Sequence, residues 1–404
     1  MKNAWYLVCE SSMRWLISVA LLLTYAQAQS SASGVTFAKA ETIPSPVLYP
    51  TSMAAGDLSV GGEVGFGVVG NEEPGLCASF GVPKNPSPTL APWNCSGFAG
   101  DAPVQVVFAD VNLDGNMDAV ATDADLPLVT VGLGNGKGQF RPDAGLYAQC
   151  GYATEAVAVA DINGDGIPDI VATVLGVANN PSCLAIFLGE GKGKFSKAQE
   201  ISSGGSTPFS VAIGDLNHDG IPDLVIGNYG LPFYGDYGDV AVLLGNGDGT
   251  FQKPTHFAGL RDPFQVILVD LNGDGNLDIA AVANDQAVVW IALGKGDGTF
   301  YPGNSYPAGD EPISIITADF NGDGIPDLAV ANYVNPKPCY VSVLLGNGDG
   351  AFQKPTHYSV GVSPQQIVTA HFTGDGKPDI ATINGGDSTI SILLNTTQFP
   401  TKKP

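Results

Sequence analysis

The residues best suited to chemistry in this sequence are aspartates and asparagines that recur in one short pattern. The clearest copy, residues 161–169, reads Asp-Ile-Asn-Gly-Asp-Gly-Ile-Pro-Asp, and near-copies begin at Asp110, Asp215, Asp270 and Asp319. Oxygen-bearing side chains at positions 1, 3, 5 and 9 can converge inside one curled loop, because the glycine at position 6 permits a sharp turn. Carboxylates held so close repel one another unless a cation lies between them. The pattern therefore predicts cation-binding loops.

The donor set of these loops favours calcium. Hard oxygen ligands on a flexible loop suit Ca²⁺ better than Mg²⁺ or zinc. We expect about five ions, one for each intact loop, with a mainly structural role, because the loops are alike and a ligand site is more often singular. The predicted ligands are Asp110, Asn112, Asp114, Asp118, Asp161, Asn163, Asp165, Asp169, Asp215, Asn217, Asp219, Asp223, Asp270, Asn272, Asp274, Asp278, Asp319, Asn321, Asp323 and Asp327.

The helical EF-hand uses a similar spacing and is the main alternative for these loops. An EF-hand loop requires a glutamate at position 12, and its flanks are helical. The flanks here are strand-like and lack helical periodicity. The residues at position 12 of the five loops are Ala121, Ala172, Ile226, Ala281 and Val330. The sequence therefore argues against the EF-hand.

Two further copies of the loop are degraded. The copy that begins at His371 keeps Thr373, Asp375 and Asp379, and we expect it to bind calcium poorly or not at all. The copy that begins at Asp57 has glycines where the later carboxylates should lie, and we expect no ion there.

The seven loop copies recur about every fifty residues, which indicates a repeat architecture. A glycine-rich segment typified by residues 244–251, Leu-Gly-Asn-Gly-Asp-Gly-Thr-Phe, follows most loops. Four strand-like runs surround these two markers in each repeat. Seven units of four strands predict an all-β fold, the seven-bladed β-propeller.

The two ends of the chain support a closed ring. The last repeat ends at residues 390–395, its third strand, and the stretch that begins at Phe37 resembles the fourth-strand residues 195–197. We expect the N-terminal stretch to complete the last blade, which removes two free sheet edges. An open solenoid gives no reason for this complementarity, and a β-sandwich gives no reason for seven repeats.

The acidic loop followed by Leu-Gly-Asn-Gly-x-Gly-x-Phe resembles the FG-GAP/VCBS repeat of integrin α-subunit-like propellers, over about residues 35–395. The resemblance implies calcium in the loops between the first two strands of a blade, on the lower face. It also implies ligands on the upper face or between blades. Some relatives are adhesion receptors, some are lectins, and some are accessory domains of polysaccharide-active enzymes. This sequence departs from the pattern in its first and last loops and in a long insertion between Gly70 and Asp101.

The N-terminus has the features of an export signal. Lys2 and Arg14 supply positive charge, residues 15–25 are apolar, and residues 26–28 read Ala-Gln-Ala, a small-x-small cleavage site. We therefore expect a signal peptide over residues 1–28, one propeller domain over residues 29–404, and a location outside the cell or in the cell envelope. No second apolar run is long enough to span a membrane, so we expect no membrane insertion.

Export permits disulfides, and five cysteines follow the signal. Proximity along the chain favours pairing Cys77 with Cys95 and Cys150 with Cys183, which leaves Cys339 over. No Cys-x-x-Cys pair occurs, so the sequence argues against a zinc or thiol-redox site.

The charge and the aromatic residues indicate the kind of partner. A formal net charge of −23 repels the phosphates of nucleic acids, so nucleic acid is not an expected partner. Exposed aromatic rings on polar loops are common in carbohydrate and protein recognition. The candidates, which we place on upper-face loops, are Trp93, Tyr229, Phe233, Tyr234 and Tyr237. The alternative is that these rings pack on one another and steady long loops.

The sequence favours a monomeric, non-catalytic binding or adhesion module for an extracellular protein or carbohydrate. An enzyme acting on extracellular polysaccharide, either a lyase or a hydrolase, or the accessory domain of one, is the alternative. Catalysis needs a singular group of residues outside the repeat. No Gly-x-Ser-x-Gly motif occurs, and histidines number only 4. Asp123, Asp125, Asp236 and Asp239 lie outside the loops, but no sequence feature pairs them.

Overall fold

The computed structural model of the 404-residue chain describes most of the repeat region. The described residues are 34–58, 64–70, 73–80, 92–97, 100, 102–177, 181–231, 235–257, 260–333 and 339–399. They belong to one compact unit, Ser33–Pro404. The predicted signal peptide, residues 1–28, lies outside the described residues.

The described residues form strands and no helix, and the strands make seven four-stranded antiparallel sheets, the blades. Blade 1 contains β2 (Pro50–Asp57), β3 (Val64–Gly70), β4 (Glu73–Phe80) and β5 (Asn94–Ser96). Blade 2 contains β6 (Pro103–Ala109), β7 (Asp118–Asp123), β8 (Leu128–Gly134) and β9 (Phe140–Tyr147). Blade 3 contains β10 (Ala153–Ala160), β11 (Asp169–Leu175), β12 (Cys183–Phe187) and β15 (Gln199–Ile201), with a small hairpin of β13 (Gly189–Gly191) and β14 (Lys194–Phe195). Blade 4 contains β16 (Pro208–Gly214), β17 (Asp223–Asn228), β18 (Asp239–Leu243) and β19 (Thr255–Phe257), and blade 5 contains β20 (Pro263–Val269), β21 (Asp278–Ala283), β22 (Val288–Ala292) and β23 (Asn304–Pro307). Blade 6 contains β24 (Pro312–Ala318), β25 (Asp327–Asn332), β26 (Tyr340–Leu344) and β27 (Thr356–Ser359). Blade 7 contains β28 (Pro364–Ala370), β29 (Asp379–Asn384), β30 (Thr389–Leu393) and β1 (Glu41–Pro44). Because no helix occurs in this part of the chain, none is available there to cross a membrane.

The core lies between neighbouring blades. Strand β11, Asp-Ile-Val-Ala-Thr-Val-Leu, is buried along its whole length because a blade covers each of its two faces. Val120 and Val129 of blade 2 pack in one cluster with Ile170 and Phe187 of blade 3. This arrangement explains why the second strands read as continuous apolar runs rather than alternating ones.

The blades form a closed ring. The first strand of each blade contacts the first strand of the next, in chain order, and the first strand of blade 7 contacts that of blade 1. The predicted seven-bladed all-β propeller is confirmed, and the open solenoid and the β-sandwich are wrong.

The N-terminal strand β1 is the fourth strand of blade 7. It pairs antiparallel with β30, with Glu41 opposite Ile392. Phe37 forms a single bridge with Asn395, so the regular strand starts after the stretch that the sequence singled out. The Phe37 ring lies edge-on to Phe320 and Tyr358, with centroid distances of 5.8 and 5.0 Å.

A ring of hydrogen bonds joins the innermost strands of the blades. Near the start of six of the seven inner strands, a side-chain oxygen accepts a backbone N–H from the next blade, at 2.7 to 3.3 Å. The acceptors are Ser52, Gln105, Ser210, Gln265, Ser314 and Gln366. Ala156 takes this position in blade 3, and an alanine side chain cannot accept a hydrogen bond. The junction between blades 3 and 4 therefore lacks this bond.

Substitution Ala156→Ser is expected to raise the free energy of unfolding by about 1 kcal/mol, because it supplies the missing acceptor. Urea denaturation measures the change. The matched variant Ser210→Ala is expected to lower the free energy by about 1 to 3 kcal/mol, because the buried N–H of Val266 loses its acceptor. Destabilisation by Ala156→Ser would contradict the importance of this bond.

Candidate metal loops and the opposite face

The five intact acidic loops lie at one end of the ring, which we call the lower face. Each connects the first strand of a blade to the second, as residues 161–168 connect β10 to β11. The opposite end, the upper face, carries the turns between second and third strands and the connections from one blade to the next. The fold thus places all five acidic loops on the lower face, whereas the upper face is formed by turns and connections that do not contain the acidic pattern.

Within the loop at Asp161 the polar side chains curl onto the loop backbone. The carboxylate of Asp161 accepts N–H bonds from Gly164 at 2.8 Å, Asp165 at 3.1 Å and Gly166 at 2.8 Å. The side-chain oxygen of Asn163 accepts the same Asp165 N–H at 2.9 Å. Because one N–H reaches oxygens of both residues, the oxygens at positions 1 and 3 lie on the same side of the turn.

The other four loops have a similar arrangement. The glycine at position 6 has a positive φ in each loop, for example +84° at Gly166, so the turn requires glycine there. Two loops place another residue at position 4 in the left-handed region, Leu113 at φ 61° and His218 at φ 59°. His218 also reaches the next loop, with Nε2 2.9 Å from the side-chain oxygen of Asn276.

The aspartate at position 9 is fully buried and fastens the loop to the third strand. One oxygen of Asp169 accepts the N–H of Ile162 at 2.9 Å, and the other accepts the N–H of Gly189 at 2.6 Å. Gly189 belongs to the segment that follows the third strand. The sequence predicted these aspartates only as ligands, and this structural role was missed. The glycine repeated after each third strand was the available signal.

Burial changes the acidity of the position-9 carboxyl groups. It raises the pKa of Asp327 to about 7 and that of Asp118 to about 6. The negative charges of Asp319 and Asp323 raise the pKa of Asp327 further, whereas its backbone hydrogen bonds act in the opposite direction. A cation in the loop would stabilise the ionised form of this buried group.

The loop residues fit calcium in kind. The atoms that they offer to a metal ion are oxygens. A carboxylate oxygen that accepts one hydrogen bond retains a second lone pair, which can bind the ion. Over the residues that the structure describes, no three carboxylate, imidazole or thiol groups converge on one point that could hold a metal ion. The loop carboxylates are instead directed at backbone N–H groups.

The degraded loop that begins at His371 contains a positively charged side chain, that of Lys377. The Lys377 ammonium lies 3.5 Å from Asp375, and the Lys377 N–H donates to the same carboxylate at 3.0 Å. Although burial acts in the opposite direction, the bonds with Lys377 and its positive charge lower the pKa of Asp375. For the loop at Asp57, residues 59–63 lie outside the described residues.

The upper face carries most of the exposed large apolar side chains. Among the described residues, Leu48, Tyr49, Tyr147, Tyr152, Val177, Leu231 and Tyr237 lie on upper-face turns, connections or strand ends. Leu113, Met117 and Tyr301 lie on the lower face. The side chains available to contact a partner are therefore concentrated opposite the acidic loops.

The predicted ligand-binding aromatics do not form one group. Tyr237 is 44% exposed, and the Arg261 guanidinium lies 4.3 Å from its ring centroid. Tyr229 packs against Phe209 and Phe264, with centroid distances of 5.0 and 5.8 Å, so its ring belongs to a packed cluster. Phe233 and Tyr234 lie outside the described residues.

Trp93 is not on the upper face, where we expected it. It immediately precedes β5, at the lower end of that strand, because the insertion occurs in the connection between the third and fourth strands of blade 1. Its ring is partly buried against the core cluster of blades 7 and 1. A packing role accounts for this position.

The described residues contain two disulfides. Cys77–Cys95 joins opposed positions of β4 and β5, and Cys150–Cys183 joins the connection before β10 to β12. Cys339 is buried outside both disulfides, and its Sγ accepts the N–H of Ser363 at 3.4 Å.

The chain is similar to known repeat proteins. The FG-GAP-like repeat family matches residues 110–172, 174–226, 233–281, 270–330 and 319–382, about two thirds of the chain. Integrin alpha-PS5 of Drosophila melanogaster is 34% identical over 112 residues, which are 26% of this chain and 11% of that protein. Integrin alpha pat-2 of Caenorhabditis elegans is 33% identical over 138 residues, 34% of this chain and 10% of that protein. The matched region is thus about a tenth of the length of these relatives.

Proposed function

Because this chain belongs to the FG-GAP-like repeat family, we propose that it is an exported, calcium-binding propeller that acts as a non-catalytic binding or adhesion module. Its matched relatives are integrin α chains, which supports binding rather than catalysis. The ligand we propose is an extracellular protein or carbohydrate, held on the upper face.

One observation carries this proposal. The exposed large apolar side chains of the described residues gather on the upper face, whereas the acidic loops occupy the lower face. Exposed aromatic and apolar groups on one surface are typical of binding sites. Tyr237 is the best single candidate for a contact residue, because its ring is exposed and Arg261 beside it can add a charged hydrogen bond.

Calcium is the second part of the proposal. In each intact loop the residues at positions 1, 3 and 5, such as Asp161, Asn163 and Asp165, would hold the ion, and the buried position-9 aspartate would contribute negative charge. The ion would neutralise these carboxylates and fix the turn between the first two strands of the blade. The role is structural, because every intact loop lies at the same place in its blade.

The histidines of the repeat support a non-catalytic function. Nδ1 of His256 lies 2.6 Å from Asp239, which resembles half of a catalytic pair. The same repeat position is occupied by His357, whose Nδ1 lies 2.9 Å from Oγ of Ser342. Both histidines link the fourth strand of a blade to the third. A contact repeated in two blades is better explained as a strand-to-strand link than as a catalytic site.

Tyr237→Ala is expected to weaken ligand binding about thirtyfold or more, because truncation of a central aromatic hot-spot residue costs about 2 kcal/mol or more of binding free energy. An array of matrix proteins and glycans, probed with the purified protein, first identifies the ligand, and titration then measures the affinity. Tyr301→Ala is the matched control. Tyr301 is 55% exposed with the Lys295 ammonium 5.0 Å from its ring centroid, but it lies on the lower face. Equal losses for the two variants, or no ligand on either array, would contradict the proposal.

A further inference from the structure

A second group of carboxylates lies on the upper face around blade 5. Asp262 directly precedes β20, and Asp285 lies in the turn between β21 and β22. Asp236 lies in the corresponding turn of blade 4, and Asp310 and Glu311 directly precede β24. This group is remote from the acidic loops, which lie at the opposite end of the ring.

Asp262 differs from the other carboxylates of the group. Its side chain is buried, with 0% of the residue exposed, and neither carboxylate oxygen has a hydrogen-bond partner within the described part of the chain. By contrast, both oxygens of the equally buried Asp169 accept backbone N–H bonds. Burial of a carboxylate without a hydrogen-bond partner is energetically unfavourable. Asp262 therefore needs a proton or a cation to compensate its charge.

The backbone holds Asp262 in place. Its φ is +52°, in the left-handed region, and its N–H donates to the carbonyl of Tyr237 at 2.9 Å. Its own carbonyl accepts the N–H of Asn284 at 3.4 Å. The carboxylate is therefore fixed between the turns of blades 4 and 5.

The neighbouring cation offsets the charge of Asp262 only in part. The Arg261 guanidinium lies over the Tyr237 ring on the surface, and no ion pair links it to Asp262 among the described residues. The side chain that most affects Asp262 is Asp285, whose carboxyl group is close enough to raise the pKa of Asp262. Burial first, and then the nearby Asp285, raises the pKa of Asp262 to about 7, whereas the positive charge of Arg261 acts in the opposite direction. Two carboxylates so close need a proton or a cation between them.

We propose that Asp262 and Asp285 together bind a hard divalent cation of the calcium class on the upper face. Such ions accept one or two carboxylates and complete their shell with water and carbonyl oxygens. No third carboxylate of the described residues converges on the pair, so the site leaves coordination positions to water. The excess of acidic side chains around the pair attracts the cation. This ion is separate from those of the acidic loops.

Equilibrium dialysis with radioactive Ca²⁺, at roughly millimolar concentration, tests this site. Asp285→Asn removes one carboxylate from an exposed side chain and is expected to lower the calcium bound by one ion per chain. Asp125→Asn is the matched control, because Asp125 is also exposed and lies in the corresponding turn of blade 2. It is expected to bind as much calcium as the unsubstituted protein. Because only differences are compared, the result does not depend on how many ions the acidic loops hold.

Equal calcium counts for the unsubstituted protein, Asp285→Asn and Asp125→Asn would overturn the proposal and leave a shared proton as the link between the two carboxyls. Crystals soaked in Mn²⁺ provide a second readout. The anomalous map is expected to show a peak between Asp262 and Asp285 that is lost in Asp285→Asn. An absent peak in the unsubstituted protein would also overturn the proposal.

Discussion

Removal of calcium is expected to lower the melting temperature by about 10 °C. An ion that binds only the folded state adds about 1.4 kcal/mol of stability when calcium exceeds its Kd about tenfold, and five loops add their contributions. Differential scanning calorimetry in excess chelator and in excess calcium measures the shift. An unchanged melting temperature would show that the ions are not the shared support of the blades.

The pH dependence of the melt provides an internal control. Burial raises the pKa of Asp327 to about 7 in the metal-free fold, whereas an aspartate in the unfolded chain titrates near ~3.9. In chelator, the stability that the raised pKa of Asp327 adds to the folded state is fully present below about pH 4. This contribution is lost as the pH rises through about 7. Calcium requires ionised carboxylates, so in calcium the trend over this pH window should weaken or reverse.

Asp223→Ala is expected to lower the free energy of unfolding by about 3 kcal/mol or more, even in chelator. The Asp223 carboxylate is buried, and it accepts the N–H of Leu216 at 2.9 Å and of Gly245 at 2.7 Å. Its loss leaves both N–H groups without their acceptor and leaves a cavity between loop and strand. Urea denaturation in chelator measures this effect without any contribution from bound metal.

Asp219→Ala is the matched control in the same loop. Asp219 is exposed, and it accepts bonds from Ile221 N–H and the Asn217 side chain. In chelator we expect a loss within about 1 kcal/mol, because exposed groups exchange protein partners for water. In excess calcium, the Asp219→Ala variant should also bind one ion fewer than the unsubstituted protein. If the two variants were equally destabilised in chelator, the distinction between a fastening and a ligating aspartate would be wrong.

The repeat made most of the fold predictable. Seven loop copies and four strand-like runs per copy define the blades, because each blade depends on the same local pattern of turns and strands. The strand order within a blade follows from short antiparallel connections. Positions 1, 3 and 5 of the loop were also predictable as a group, since they contact one another within a few residues of chain.

The rest depends on contacts between distant residues. The role of Asp169 requires Gly189, which reaches it only after β12 has paired with β11. The contact of Asp262 with Asp285 likewise depends on pairing of β20 with β21. Trp93 was placed on the wrong face because the sequence does not show which connection of blade 1 contains the insertion. The pairing of Lys377 with Asp375 was not predictable from the loop pattern, because that pattern concerns only oxygen ligands and a lysine is not one of them.

A crystal structure of the protein grown in excess calcium is the most direct test of the central claim. We predict an ion coordinated by oxygens in each of the five loops that begin at Asp110, Asp161, Asp215, Asp270 and Asp319, and none in the loop at His371, where Lys377 pairs with Asp375. Loops without ions, with their aspartates still bonded only to backbone N–H groups, would contradict the account.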